Sequence, residues 1–532
     1  MNDKLNTVYS YHEQTKHHPG RYARSVGYMD WANQPFPFRR FEGAPTVALP
    51  LPAADPDLSW DGLFDSVGKE PATVTPAAIG ALFYFSLALS AWKQITDPSG
   101  EVVSRWALRV NPSSGNLHPT ESYLVNADGV FHYAPDEHLL EKRGTIAAEA
   151  WATFSAGLPA GSFLVGLASI HWREAWKYGE RAFRYCQHDV GHAVAAVSLS
   201  ATCHRWRVFL MDRYSQEEIE ALLGVDHQEG PEKEHADGLL LVVPAAGEGF
   251  EAPGELPQVT DWQGEPNTLS RSHQDWPVIT EVAIATAGGT GERHRAGLTP
   301  KVLLPGEPRD LAAHALIRGR RSAVTMDPAT GLDREAFFTI LRRTLPGAVG
   351  SLFDVLPWAP QVSLAIFVHR VRGLDPGLYV LARHPEHADS LQESFDPDFA
   401  WETPPGCPAD LPLFVLGTGD LRERSRQVSC GQAIAADGAF SLGMLARFAT
   451  ALQEFGPAIY PRLFWETGMV GQMLYLEAEA AGVRGTGIGC FFDDAMHEVL
   501  GISDHSWQSL YHFTVGGAVE DSRLQTTPAY PG

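Results

Sequence analysis

Three short segments carry residue types that suit an anionic or flat polar ligand. Residues 317–326 read IRGRRSAVTM, and Arg320, Arg321 and Ser322 place two guanidinium groups beside a hydroxyl. Guanidinium groups bind phosphate through paired hydrogen bonds, so this segment favours an anionic ligand. The same pattern is typical of a solvated helix N-terminus or a surface ion-pair cluster, and the segment alone leaves both interpretations open.

Small hydrogen-bonding residues dominate the second segment, NPSSGNLHPTESYL, over residues 111–124. Its central residues are Pro112, Ser113, Ser114, Gly115 and Asn116. All are frequent in turns, so a turn explains part of this composition. The same residues also allow the backbone to approach a flat polar ligand closely.

Alternating glycines mark the third segment, RGTGIGCFF, over residues 484–492. Gly485, Gly487 and Gly489, the last two flanking Ile488, would let the backbone lie against a planar ring. The spacing differs from the GxGxxG fingerprint of dinucleotide-binding proteins. A flexible connector is the alternative interpretation.

Length, charge and cysteine usage limit the class of protein. A chain of 532 residues predicts two or more domains. A formal net charge of −23 argues against nucleic acid and against an anionic membrane as partners. The five cysteines are scattered without a CxxC pair, and the N-terminal residues lack the apolar core of a signal peptide. We therefore expect reduced thiols in a cytoplasmic protein. The longest apolar run, residues 79–92, is too short to span a bilayer and predicts a buried helix.

A repeat divides the chain into two related halves. Residues 189–199 align without gaps on residues 466–476, an offset of 277, and Leu-Gly at 223–224 aligns on Leu-Gly at 500–501. Both copies predict a long buried helix, a loop and a short helix. Hairpin patterns with a turn at Asp-Gly or Asp-Pro-Gly also occur in both halves. These matches favour tandem copies of one α+β domain.

The predicted domains are residues 1–250 and 276–532, joined by a linker of Pro, Gly and acidic residues at 251–275. Fused copies that pair like a homodimer allow each half to lose what the other supplies. At the offset of 277 the three glycines face Val208, Leu210 and Asp212, whereas the first half lacks an RRS segment and the second lacks paired serines. These complementary losses predict one composite site at the interface of an internal pseudo-dimer. Whether two chains pair further stays open.

Four longer motifs give a family resemblance. They are YHEQTKH (Tyr11–His17), LRVNPSSGNLHPTESY (Leu108–Tyr123), WKYGERAFRYCQHDVGH (Trp176–His192) and YHFTVGGAVEDSRL (Tyr511–Leu524). With the three short segments, they resemble the FMN-dependent nitroreductase superfamily, and more closely its SagB/ThcOx-type branch, the azoline dehydrogenases. The resemblance implies two nitroreductase-like domains, each an antiparallel or mixed sheet packed with helices, with FMN bound across their interface.

The resemblance also implies roles for individual residues. The RRS segment would hold the ribityl and phosphate end of FMN, with a further phosphate contact from Arg523. The PSSGN loop of the other half would line the ring and ribityl chain, and the Gly-rich loop of the second half would offer backbone near N5. The predicted cofactor-binding residues are Pro112, Ser113, Ser114, Gly115, Asn116, Arg320, Arg321, Ser322, Gly487, Ile488, Gly489 and Arg523.

Lys177 and Tyr178 are the candidate catalytic pair. A partly desolvated lysine beside an aromatic ring can act as a base, and azoline dehydrogenases carry a similar pair. A surface cation beside a packed tyrosine is the alternative. His188 and His192 have the i, i+4 spacing of a helical zinc pair, but a third ligand and the glutamate base are missing, so no metal site is predicted.

The leading function is two-electron oxidation of a small or peptide-derived substrate, in the manner of azoline oxidation to azole. Enzymes of natural-product or peptide modification would then be its partners. One alternative is an NAD(P)H-dependent reductase of nitro compounds or quinones. Another is a non-catalytic scaffold in a peptide-modification complex. Purified flavin content and reduction by NADPH would separate these hypotheses.

Overall fold

The structure is a computed structural model that describes residues 2–53, 58–64, 70–244, 253–291, 309, 311–347 and 352–531. The helices are α1 (Asn2–Gln14), α2 (Pro76–Tyr84), α3 (Ala148–Ser155), α4 (His171–Tyr178), α5 (Ala182–Cys203), α6 (Gln216–Leu223), α7 (Pro277–Thr286), α8 (Ala313–Gly319), α9 (Arg334–Arg343), α10 (Pro385–Ser394), α11 (Arg422–Val428), α12 (Ile434–Asp437), α13 (Phe448–Phe455), α14 (Ile459–Ala480) and α15 (Asp493–Leu500).

The strands are β1 (Phe41–Glu42), β2 (Thr46–Ala48), β3 (Leu89–Thr96), β4 (Val102–Arg109), β5 (Thr120–Asn126), β6 (Gly129–Ala134), β7 (Leu139–Ile146), β8 (Phe163–Ile170), β9 (Arg207–Leu210), β10 (Glu234–Val243), β11 (Val259–Thr260), β12 (Glu265–Pro266), β13 (Leu332–Asp333), β14 (Val362–Val368), β15 (Val371–Arg372), β16 (Gly377–Leu381), β17 (Leu413–Thr418), β18 (Phe440–Ala446), β19 (Arg484–Ile488), β20 (Gln508–Gly516) and β21 (Gln525–Thr527).

Each half is built on an antiparallel sheet with the same strand order. The first sheet runs β11-β7-β6-β5-β8-β10-β9, with β2 also paired to β7, and the second runs β17-β16-β14-β18-β20-β19. From β7 to β9 and from β17 to β19 the orders correspond strand by strand. The predicted α+β fold with two copies of one domain is therefore confirmed.

The repeat extends well beyond the two landmarks used to find it. The helices α4 and α13, α5 and α14, and α6 and α15 begin 277 residues apart. Both short helices end at the Leu-Gly landmark, where Gly224 (φ 68°) and Gly501 (φ 77°) adopt the left-handed conformation. A residue in the left-handed conformation closes the last turn of a helix, and glycine adopts this conformation without steric cost.

The two halves meet where α5 crosses α14, at a pair of equivalent glycines. A Cβ atom on Gly191 would overlap the backbone carbonyl of Trp465, and one on Gly468 would overlap the backbone carbonyl of His188. Gly191 and Gly468 are 277 residues apart, so each half presents the same surface to the other. This reciprocity is the signature of a twofold interface and describes an internal pseudo-dimer.

We expect Gly468→Ala to lower the free energy of unfolding by about 2 kcal/mol. Alanine is intrinsically better than glycine within a helix by about 1 kcal/mol, but here the new methyl group meets helix backbone that cannot rotate away. Denaturant unfolding measures the difference. Gly319→Ala is the matched control, because its Cβ would have open space around it. Wild-type stability of Gly468→Ala would contradict the close crossing.

Both ends of the described chain tie the halves together. In the first motif of the resemblance, Tyr11 donates its hydroxyl hydrogen to the Glu180 carbonyl, and Lys16 pairs with Asp494 at 2.9 Å. At the other end, β21 pairs with β3 of the first half. These contacts give the terminal motifs a structural role at the interface.

The segment predicted to be a linker contacts the first half locally. Val259–Thr260 pairs with β7, and Glu265–Pro266 pairs with β1. The predicted boundary at residues 250 and 251 lies outside the described residues, and the domain limits stay a prediction.

The apolar run at residues 79–92 is not one helix, so that prediction was wrong. The helix α2 ends at Tyr84, and Leu87 and Ala88 donate backbone hydrogen bonds to Phe83 in a tight turn before β3 begins. An unbroken apolar run does not distinguish a buried helix from a buried strand. Across the described residues, no helix is both long and apolar enough to cross a membrane.

Candidate active site

A cavity of about 510 Å³ lies between the two halves. The first half contributes residues 111–116, Tyr178 and Asp189 to its wall, and the second contributes residues 320–324 and 486–490. Its volume lies within the range of about 300–1,000 Å³ that is typical of small-molecule sites. The structure therefore brings the three predicted segments together around one space.

The PSSGN loop is held in place by a carboxylate on α5. The backbone N–H and the hydroxyl of Ser114 both donate to Asp189, at 3.0 and 3.1 Å. The hydroxyl oxygen of Ser113 accepts the backbone N–H of His118 at 2.8 Å. Gly115 (φ 59°) and Asn116 (φ 60°) adopt the left-handed conformation that these residue types tolerate best. The small polar residues thus build a rigid turn on the cavity wall.

Asp189 was missed as a site residue by the sequence analysis, which used it only as a landmark of the repeat. Burial raises the pKa of Asp189 to about 7, although hydrogen bonds from Ser113 and Ser114 oppose the shift. Its repeat equivalent, Glu466, accepts the backbone N–H of Gln361 at 2.8 Å in front of the second hairpin. An acid at the same place in both copies of the repeat was the available signal, because each one holds the loop before the hairpin of its own half.

The two histidines of the HDVGH motif bond to the other half. His188 Nε2 lies 3.0 Å from the carbonyl oxygen of Leu510, and His192 Nδ1 lies 3.2 Å from Gln472 Oε1. Both rings therefore contribute to the interface between α5 and the second half.

The RRS segment follows α8 and leaves positive charge at the cavity. Arg320 donates from Nε to the Val110 carbonyl at 3.1 Å, but its buried Nη1 has no hydrogen-bond partner among the described residues. Burial and the neighbouring Arg320 guanidinium lower the pKa of Arg321 to about 10. An anionic ligand would accept a hydrogen bond from the unpaired Nη1 of Arg320. It would also reduce the electrostatic repulsion between Arg320 and Arg321.

Residues 484–488 of the glycine segment form β19, which pairs with β20, so the flexible-connector interpretation was wrong for this part. A Cβ atom on Gly487 would overlap the Tyr511 hydroxyl, and one on Gly489 would overlap the Tyr185 ring. Close packing of these aromatic rings therefore requires glycine on one side of the strand. Tyr475 links this strand to the RRS segment, because its hydroxyl lies 2.9 Å from both Ser322 Oγ and the backbone nitrogen of Gly487.

Lys177 and Tyr178 lie against the PSSGN loop, and of the two Tyr178 lines the cavity while Lys177 is not among its lining residues. The Tyr178 hydroxyl and Lys177 Nζ come within 2.7 and 3.0 Å of the position that a Cβ atom on Gly115 would take. Burial raises the pKa of Tyr178 well above its ordinary value, so the phenol stays neutral.

Arg523 is not among the residues that line the cavity, although Asp521 and Leu524 beside it are. Its side chain is 83% exposed and pairs with Asp521 at 2.7 Å, in the turn before β21. Arg484, which the sequence analysis did not select, does line the cavity. Its position at the start of the glycine segment was the signal that could have identified it. A phosphate contact from Arg523 stays a prediction.

The repeat-equivalent place on the other side of the interface is filled. Its cavity measures only about 40 Å³, and Leu210, Asp212, Arg462 and Trp465 line it. At the offset of 277, Leu210 and Asp212 stand where the other copy has Gly487 and Gly489. Side chains therefore occupy the space that the larger cavity keeps open.

Comparisons with known proteins agree with this fold. The Nitroreductase family model matches residues 406–517. A solved structure described as a nitroreductase from Anabaena variabilis is 20% identical and has a TM-score of 0.68, covering 96% of this chain and 99% of that chain. The similarity thus spans both halves and shows a common fold.

Two other matches cover less of the chain. The Escherichia coli McbBCD microcin synthetase complex with truncated pro-MccB17 bound is 15% identical, covers 46% of this chain and 93% of that chain, and has a TM-score of 0.25. A nitroreductase in complex with FMN from Exiguobacterium sibiricum is 14% identical, covers 41% and 90%, and has a TM-score of 0.22. Such low TM-scores give no information on ligands. No curated protein matches the sequence.

Proposed function

We propose that this chain is an FMN-dependent oxidoreductase that holds one FMN in the cavity between its halves. The observation that carries the proposal is the convergence of the PSSGN loop, the RRS segment and the glycine strand on one cavity. Within this class we favour a SagB-type dehydrogenase of a small or peptide-derived substrate, because the Lys-Tyr pair and the terminal motifs resemble that branch.

The lining residues suit the chemistry of FMN. Arg320, Arg321 and Arg484 supply cationic donors for a phosphate group, and Ser322 adds a hydroxyl. The buried Nη1 of Arg320 and Oδ1 of Asn111 are lining atoms with no hydrogen-bond partner in the described part of the chain. Bound FMN would supply two-electron redox chemistry at this place.

Each element of the chain then has a task of its own. Asp189 fixes the loop on which the ligand would lie, and Tyr475 joins the glycine strand to the RRS segment. Lys177 would take a proton from the substrate at Nζ. The neutral Tyr178 phenol lines the cavity and can donate a hydrogen bond there.

Arg321→Ala tests the proposal. Loss of a charge-assisted hydrogen bond costs about 1.5–3 kcal/mol, so we expect the Kd for FMN to rise about 10- to 100-fold. Quenching of FMN fluorescence measures that Kd. Arg372→Ala is the control, since this exposed arginine pairs with Asp333 away from the cavity. Equal FMN affinity in Arg321→Ala and wild type would overturn the assignment.

The direction of electron flow is a separate measurement. In a dehydrogenase of the proposed kind, the visible absorbance of bound FMN should be bleached by the substrate and should change little on addition of NADPH. Rapid bleaching by NADPH would instead identify the reductase, and a colourless wild-type protein with no affinity for FMN would identify the scaffold.

A further inference from the structure

Two cysteines meet at the wall of the cavity. Cys490 follows Gly489 at the end of β19 and lines the cavity, and Cys430 lies in the turn after α11. Their sulfur atoms are 2.8 Å apart, although 60 residues separate them in the chain. We propose that Cys490 and Cys430 are a redox-active dithiol that exchanges with low-molecular-weight disulfides.

The surroundings make the two sulfurs unequal. A hydrogen bond joins the two thiols, and the Arg181 guanidinium lies nearby, 4.9 Å from the Phe491 ring. The hydrogen bond with Cys430 lowers the pKa of the Cys490 thiol, against the effect of burial, and the same bond raises the pKa of Cys430. Arg181 acts on both thiols in favour of the thiolate, while Asp493 opposes it. Of the two sulfurs, that of Cys490 belongs to the cavity lining, where a small disulfide can reach it, so Cys490 is the nucleophile and Cys430 is the resolving thiol.

Hydrogen bonds on both sides of the cysteine pair hold the two thiols close together. Gln432 donates from its side-chain amide to the carbonyls of Ser429 and Cys490, each at 2.9 Å. Phe492 donates its backbone N–H to the Val428 carbonyl at 2.8 Å. These bonds bracket the cysteine pair on both sides. Formation of a bond of about 2.05 Å between the sulfurs needs only a small local movement.

Cys186 and Cys407 lack this arrangement. Cys186 is fully buried, and burial raises its pKa well above the ordinary value. Cys407 donates its thiol hydrogen to the Leu411 carbonyl at 3.5 Å. Burial also raises the pKa of Cys407, to about 11, so both cysteines serve as internal standards of low reactivity.

The dithiol and one small disulfide are the only reactants that the thiol–disulfide exchange needs. The Cys490 thiolate attacks one sulfur of the small disulfide, the S–S bond of that molecule breaks, and one thiolate leaves. The Cys430 thiol then gives up its proton and attacks the Cys490 sulfur in the mixed disulfide, which releases the second thiolate. Two protein thiols are oxidised to one intramolecular disulfide, and one small disulfide is reduced to two thiols.

Oxidised glutathione is the probe for the experiment. After treatment of the purified holoprotein, titration under denaturing conditions should find three of the original five thiols. Peptide mapping by mass spectrometry should find Cys430 linked to Cys490. Cys430→Ser should stop at one glutathione adduct on Cys490, and this adduct should form at least about 10-fold faster than one on Cys407.

Cys407→Ser is the matched control and should still lose two thiols. The proposal is overturned if native wild-type protein keeps all five thiols, or if the adduct in Cys430→Ser forms at Cys407 as fast as at Cys490. It is also overturned if Cys490→Ser still loses thiols at the wild-type rate. Because the readout counts thiols and not flavin, its failure is distinguished from failure of the proposed function, which is measured by FMN binding.

Discussion

Asp493→Ala is expected to lower the free energy of unfolding by about 3–5 kcal/mol, the usual cost of removing one partner from a buried ionic group. Asp493 is fully buried at the start of α15. It accepts hydrogen bonds from Arg184 at 2.8 Å, from Arg181 at 3.1 Å and from the backbone N–H of His17 at 3.0 Å. Its removal would leave two buried guanidinium groups without their counter-charge.

This cluster joins three parts of the chain. Arg181 and Arg184 belong to the first half, Asp493 to the second, and His17 to the N-terminal motif. Arg184 also donates to the His12 carbonyl, and Arg181 donates to the Thr15 carbonyl. The substitution therefore weakens the packing of α1 and of the two halves at once.

The effect depends on pH in a defined direction. Burial alone would raise the pKa of Asp493, but Arg181 and Arg184 hold it well below its ordinary value of 3.8. A depressed carboxyl pKa stabilises the folded state above the unfolded pKa, and this stabilisation is lost as the pH falls through the folded one. The difference between wild type and Asp493→Ala should therefore be full at pH 6 and shrink below about pH 4.

Asp494→Ala is the matched control for this measurement. Asp494 is the next residue, is 39% exposed, and pairs with Lys16 at 2.9 Å. Partly exposed ion pairs contribute up to about 1 kcal/mol, so thermal unfolding should show a much smaller shift. If Asp493→Ala does not fold, Asp493→Asn keeps the shape without the charge and should still unfold at lower denaturant concentration than Asp494→Ala. Equal effects of the two positions would contradict the role of the cluster.

The sequence revealed the repeat because helix crossing and helix ending impose strict local demands. Gly191 and Gly468 must be glycine where backbones touch, and Gly224 and Gly501 must adopt a left-handed conformation. These demands survive in both copies, so an ungapped offset could find them. The apolar run at 79–92 contains no position with a comparable conformational constraint. Its division into a helix and a strand was therefore not predicted.

Site residues were predictable where residue type alone indicates chemistry. Arg320 and Ser114 stand in segments with unusual composition, and both line the cavity. Asp189 contacts Ser114, and Cys490 contacts Cys430. No local sequence pattern indicates that either pair is in contact. Long-range contacts of this kind depend on the packing of the two halves, and a single sequence does not encode them in any short window.

Lys177→Ala should reduce turnover by about 10²- to 10⁴-fold, the usual contribution of a positioned general base. Lys177 lies in the last turn of α4, with Nζ 5.1 Å from the centre of the Tyr178 ring and beside the PSSGN loop. The nearby Glu174 is buried, and burial raises its pKa well above the ordinary value, so this carboxyl stays neutral. Under the proposed function, Lys177 would exchange a proton with the substrate from its position beside the loop, next to Tyr178, which lines the cavity.

The readout separates proton transfer from cofactor binding. With an azoline-containing peptide as substrate, kcat/KM should fall in Lys177→Ala while the Kd for FMN stays within about twofold of wild type. Lys177→Arg should be nearly as slow, because a guanidinium keeps the charge but does not give up its proton. Lys233→Ala, which removes a lysine paired with Glu220, should leave turnover unchanged. Wild-type turnover in Lys177→Arg would assign Lys177 an electrostatic role, and parallel loss of FMN and activity in Lys177→Ala would assign it a structural one.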